Sequence, residues 1–96
     1  MGMKYRTKTD LIAQILDAAS DNRGLTRTKI MYKVFLSYTK VKEYLTVLLE
    51  NDLIEYDEKS QTYKTTEKGL HFMQAYRQMG ELISNPVKTG WQTIKY

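Results

Sequence analysis

The sequence predicts a mainly α-helical domain carrying one small β-hairpin, and three observations lead there. Four segments repeat apolar residues at helical spacing, each preceded by a Thr or Ser suited to capping it. Between the third and fourth, Leu53-Ile54-Glu55-Tyr56 and Thr62-Tyr63-Lys64-Thr65 alternate as strands do, with polar Asp57-Glu58-Lys59-Ser60-Gln61 between them. The chain has 96 residues, which suffices for one core and not for two.

Thr7 or Thr9 caps a first helix that runs to about Ser20 and turns Leu11, Ile12, Ile15, Leu16 and Ala19 to one face. Asp21-Asn22-Arg23-Gly24 breaks it, and Leu25 is expected to pair briefly with the later hairpin. Thr26 caps a second helix, Arg27 to about Val34, with Ile30, Met31 and Val34 inward. Phe35-Leu36 makes the turn. Ser37 caps a third helix to about Asn51, whose buried stripe is Val41, Leu45, Leu48 and Leu49. Tyr38, Thr39, Lys42, Glu43 and Thr46 look outward, with Lys40 near them at the amino end.

Thr66 caps a last helix from Glu67 to about Ser84, which Asn85-Pro86 stops. This helix has more apolar surface than a small domain needs. Leu70 and Met73 are expected to pack back on the body. Phe72, Tyr76, Met79 and Ile83 form a second stripe suited to a partner helix, although intramolecular packing would use the same residues. Gly80 costs about 1 kcal/mol against Ala within a helix and marks a candidate close crossing. The order of elements is that of a winged helix-turn-helix domain over residues 1–66, followed by a long dimerisation helix over 67–85 and a tail over 86–96. Whether the tail, with Trp91 and Tyr96, folds over a dimer seam is left open by the sequence.

Charge is unevenly spread. The net charge is +4, yet from Asn22 to Lys42 there are six cations (Arg23, Arg27, Lys29, Lys33, Lys40 and Lys42) and no carboxylate. Residues 51–96 hold six cations and six acids, so the excess lies in the first half. An acid-free run is often only a solvated face; its overlap with the helix-turn-helix favours a nucleic-acid surface.

Catalytic sets are missing. The absence of cysteine excludes disulfides, thiolate catalysis and Cys-ligated zinc. His71 is the only histidine, so one chain cannot supply a two-His metal site. Glu55, Asp57 and Glu58 lack calcium-loop spacing, Ser37, Ser60 and Ser84 lack a base, and there is no Gly-rich phosphate loop. The protein is not expected to be an enzyme or to need a cofactor. No apolar run approaches a membrane span, and the first residues lack a signal peptide's apolar stretch, so a cytoplasmic location is expected.

A DNA-binding reading has a concrete form. Ser37, Tyr38 and Thr39 open the third helix, where hydroxyls and free amides reach phosphate oxygens. Lys40 and Lys42 lie about 200° apart around the helix and cannot share a face. Thr39, Lys42, Glu43 and Thr46 make the stripe that would read the groove, and Lys40 would take a flanking phosphate. Glu43 can accept from a cytosine amino group but otherwise repels the backbone. Arg27, Lys29 and Lys33 are candidate phosphate clamps on the preceding helix. The hairpin offers Lys59 or Lys64 for one further contact, beside acidic Asp57 and Glu58.

The chain resembles the small archaeal winged-helix DNA-binding proteins of the ten-kilodalton class. The matching residues are Ile12-Ala13-Gln14-Ile15-Leu16-Asp17-Ala18-Ala19, Thr26-Arg27-Thr28-Lys29-Ile30-Met31-Tyr32, Leu36-Ser37-Tyr38, Leu53-Ile54 and Thr65-Thr66-Glu67-Lys68-Gly69, within residues 8–80. The resemblance implies a homodimer joined by an antiparallel coiled coil of last helices, binding duplex DNA in transcriptional control or chromosome organisation, in an archaeon or a virus of one. Two departures stand out: the last helix ends early at Asn85-Pro86, and the tail has no counterpart.

The expected function is a homodimeric transcriptional regulator acting by steric occlusion, or a chromatin-type organiser of DNA. The rival is a winged-helix protein–protein module of a larger assembly, with Tyr38, Tyr44 and Tyr56 as its aromatic contact patch.

Overall fold

Each of the first three helices begins where the sequence offers a capping oxygen. A computed structural model describes the backbone of residues 6–84 and the side chains of 6–80. In it α1 spans Lys8–Ala18, α2 Arg27–Val34, α3 Tyr38–Glu50 and α4 Glu67–Ser84. The hydroxyls of Thr7, Thr26 and Ser37 accept from the amides of Asp10, Lys29 and Lys40 at 3.0, 3.3 and 3.2 Å, which satisfies one orphan donor per helix. Thr7 is the cap of α1 rather than Thr9, because the Asp10 carboxylate returns a bond to the Thr7 amide at 2.9 Å.

Strands β1 (Ile54–Asp57) and β2 (Thr62–Thr65) form an antiparallel hairpin, with Ile54 opposite Thr65 and Tyr56 opposite Tyr63. Leu25 adds one rung by exchanging backbone bonds with Tyr63 at 2.9 and 2.7 Å, the pairing the sequence predicted. Gly24 makes that approach possible. Its φ is +73°, and a Cβ there would lie 2.7 Å from the Tyr63 carbonyl oxygen.

The core is built from every element. Ile15 and Leu16 of α1, Ile30 of α2, Val41 and Leu48 of α3 and Ile54 of β1 are fully buried, each contributing about 1.5–3 kcal/mol relative to exposure. Met73 brings α4 into the same cluster. Thr65 is a buried polar residue with its needs met: its hydroxyl donates to the Leu16 carbonyl at 2.6 Å and its amide to that of Ala19 at 2.9 Å. These bonds fix the hairpin to the end of α1.

Two apolar expectations fail. Leu49 is 37% exposed because it lies about 80° around α3 from Val41, and half-buried Tyr44 packs on the core from the other side of the stripe. Leu70 is 42% exposed, since α4 presents Gly69, Phe72, Met73 and Tyr76 to the body instead.

The start of α4 is seated by several contacts. Thr66 donates its hydroxyl to the Asp52 carbonyl at 2.7 Å and accepts the Gly69 amide at 3.1 Å. Lys68 reaches the Asn51 carbonyl at 2.8 Å, a cation at the carboxyl end of α3. Further along, the Tyr76 hydroxyl donates to the Asp10 carboxylate, and Arg77 lies 3.7 Å from Asp17.

The stripe Phe72, Tyr76, Met79, Ile83 is therefore not one exposed seam. Phe72 packs against the core, Tyr76 is half-buried against α1, and Met79 is 56% exposed. The Ile83 side chain, the Asn85-Pro86 stop and the tail lie outside the described residues. Among the described residues no helix is long and apolar enough to cross a membrane.

Candidate nucleic-acid interface

The outward face of α3 is the one the periodicity assigned. Tyr38, Thr39, Lys42, Glu43 and Thr46 are all exposed, while Val41, Leu45 and Leu48 behind them are buried. The Ser37 hydroxyl accepts the Lys40 amide and keeps its proton free to donate outward. Thr46 donates to the Lys42 carbonyl at 2.9 Å and presents its methyl and lone pairs. Lys40 and Glu43 sit 3.8 Å apart on the surface, each side chain 60% exposed. Such a pair is worth little in stability, but it mutes the Glu43 charge and leaves Lys42 as the uncommitted cation of the stripe.

The cations of α2 divide between two sides. The Arg27 guanidinium lies 4.9 Å from the centre of the Tyr38 ring, so it joins the first turn of α2 to the first turn of α3. The cation is held over the ring face, where the quadrupole attracts it. Lys33 instead lines a depression with Gln14, Asp17, Ala18 and Val34, on the α1 side. Lys29 is exposed, one helical turn from Lys33 and on the same outer flank. Arg27 is thus brought to α3, and Lys33 is not.

The hairpin also has two unlike faces, because side chains alternate along a strand. The rings of Tyr56 and Tyr63 pack tilted to each other by 45°, with centres 4.7 Å apart. Together with Thr26, Arg27, Thr28 and Gln61 they line a cleft of about 210 Å³ between α2 and the hairpin. Lys64 lies opposite Glu55 in the ladder and with it lines a second hollow, together with Asn22, Arg23, Asp57, Thr62 and Tyr56, which borders both. At the tip, Asp57 accepts from the Lys59 amide at 3.2 Å and the Ser60 hydroxyl at 2.8 Å, and Gln61 adopts φ +58°. Lys59 and Glu58 are exposed there together.

A helix-turn-helix whose second helix offers an exposed polar face, followed at once by a hairpin paired to the preceding loop, is the winged arrangement. A winged helix-turn-helix family model matches residues 5–84. The chain belongs to the winged helix-turn-helix family. No curated protein matches it. The family's fold is a DNA-binding one, and in winged helix-turn-helix terms α3 is the recognition helix and β1–β2 the wing.

Sequence reasoning placed Tyr56 only in the rival aromatic patch and singled out neither Thr28 nor Gln61 as a site residue, yet all three line the cleft between α2 and the hairpin. A signal was present for Tyr56: once Leu25 pairs with Tyr63, the residue opposite Tyr63 must share the side that faces α2. No local pattern in the sequence gives the position of Gln61, which follows from its left-handed backbone.

Proposed function

We propose that this protein binds double-stranded DNA through α3, as a homodimeric transcriptional regulator. One observation carries the reading: the exposed stripe Thr39, Lys42, Glu43 and Thr46 continues, through the Arg27–Tyr38 stack, onto the first turn of α2. The stripe would enter the major groove, and Ser37, Tyr38, Lys40 and Arg27 would hold flanking phosphates. Lys29 and Lys33, on the outer flank of α2, would add long-range attraction to the duplex. The likeness to archaeal ten-kilodalton proteins supports a dimer joined through α4; of the expected stripe Phe72, Tyr76, Met79 and Ile83, exposed Met79 is the described residue free to meet a partner helix. Such a dimer covers two half-sites and blocks polymerase or an activator; with few base contacts it would coat DNA instead.

The test is fluorescence anisotropy of a labelled random-sequence duplex at several salt concentrations. Binding should weaken as salt rises, each phosphate contact steepening the dependence by about 0.9 log units per log unit of salt. Arg27→Glu and Lys42→Glu should each weaken it at least tenfold. Affinity that survives both changes removes this surface from consideration.

The assembly-module reading is favoured by a different observation: Tyr32 and Phe35 are 69% and 83% exposed at the end of α2. Absence of duplex binding at low salt would move the function there.

A further inference from the structure

Winged domains that probe the minor groove do so with cations at the hairpin tip. This hairpin is built otherwise. Its tip carries Asp57 and Glu58 beside a single Lys59, and Asp57 is committed to bracing the turn. Its outer face pairs Lys64 with Glu55. The face turned toward α2 has no carboxylate, and offers instead the Tyr56 hydroxyl and, at the edge of the turn, the Gln61 carboxamide.

Across the cleft from these donors stands the first turn of α2. Lys29 has its amide capped by Thr26, but the amides of Arg27 and Thr28 have no acceptor within the helix, as the first residues of any helix have none. Thr28 and Arg27, both carrying side-chain donors, line the same cleft. Residues with hydrogen-bond donors from two elements thus line one cleft, and one of them, Arg27, also lies against Tyr38 at the amino end of α3. A cleft with no carboxylate in its own lining suits an extended polyanion, and an acidic tip does not; Tyr56 stands at the border, since it also lines the hollow that holds Glu55 and Asp57.

Resting on the DNA reading above, we infer that one sugar–phosphate strand of the duplex lies in the cleft between α2 and the hairpin, gripped by Arg27, Thr28, Tyr56 and Gln61. The tip stays off the DNA. The hairpin acts as an uncharged rail for the backbone, with Lys59 and Lys64 outside the contact. Tyr63 supports the rail by packing its tilted ring against Tyr56 and by holding Leu25, and so the loop before α2, to β2.

The inference separates from simple electrostatic attraction by its salt signature. Neutral donors to phosphate release no counterion, so their loss lowers affinity without flattening the salt dependence, whereas loss of a contacting lysine flattens it by about 0.9. The experiment is the same duplex titration with the full chain carrying Tyr56→Phe, Gln61→Ala or Lys59→Ala. Tyr56→Phe keeps the packed ring, and a thermal melt of each variant confirms that it is folded. Tyr56→Phe and Gln61→Ala should each weaken binding by about three- to tenfold at every salt concentration with an unchanged slope. Lys59→Ala should leave the slope as it was. A slope flattened by Lys59→Ala, with Tyr56→Phe and Gln61→Ala neutral, would place the tip on the DNA and overturn the inference while leaving DNA binding intact. No binding by the unaltered protein ends both.

Discussion

At the residue scale, single atoms decide two outcomes. Glu43 stands in the exposed stripe of α3, and its surface contact with Lys40 partly offsets its charge. Glu43→Gln should therefore strengthen binding to random-sequence duplex several-fold and steepen the salt dependence, because Lys40 is released to a phosphate. If the affinity falls instead, Glu43 is making a base contact that the random duplex contains often enough to matter. Gly69 is tighter still. A Cβ there would run into the Leu53 carbonyl oxygen and lie 2.6 Å from the Thr65 methyl, both parts of the joint between hairpin and α4. Gly69→Ala should cost about 2–4 kcal/mol in urea unfolding, despite the better helix propensity of Ala. The motif Thr66-Glu67-Lys68-Gly69 is thereby explained as a cap, a tether to Asn51 and a close approach. Its residues are visible in the sequence; that Gly69 faces Leu53 is not, since the two are brought together by the hairpin turning back.

At the scale of elements, the joint between α1 and α4 has a definite response to pH. The Tyr76 hydrogen bond, and after it the Thr7 amide, hold the Asp10 carboxyl below the ordinary carboxylate range. The same bond, followed by burial, raises the Tyr76 phenol above its ordinary value. A lowered acid binds fewer protons folded than unfolded, so its stabilisation is present above the unfolded value and lost as pH falls through the folded one. The raised phenol works in the opposite sense, stabilising below its ordinary value and losing that contribution as pH rises past it. Melting temperature should accordingly drop on acidification through the carboxylate range, and Tyr76→Phe should flatten part of that drop. An unchanged acid limb in Tyr76→Phe would mean that the capping box alone sets the Asp10 titration. The capping box itself was open to local reading, with Thr7 three residues before Asp10. The bond to Tyr76 joins residues 66 apart in sequence and belongs to the packing of two helices.

At the scale of the whole molecule, the proposed dimer can be tested at Gly80. Among the described residues nothing lies within 4 Å of a Cβ placed on Gly80, so within one chain Gly80→Ala should raise stability by about 1 kcal/mol through helix propensity. If the proposed dimer crosses at Gly80, the same change should weaken self-association in sedimentation measurements. A stronger dimer would place the seam elsewhere on α4. The sequence by itself determined the helices, their caps, the hairpin and the exposed stripe of α3. Each of these depends on neighbours within a few residues, through a period, a capping oxygen or a turn. Only the tertiary structure decided that Arg27 stacks on Tyr38 while Lys33 turns toward α1, that Tyr56 and Gln61 rather than Lys64 face α2, and that Phe72 and Tyr76 are occupied within the chain. Periodicity tells which side of an element is polar. Which neighbour that side meets depends on how the elements cross, and the crossing is set by the shared core.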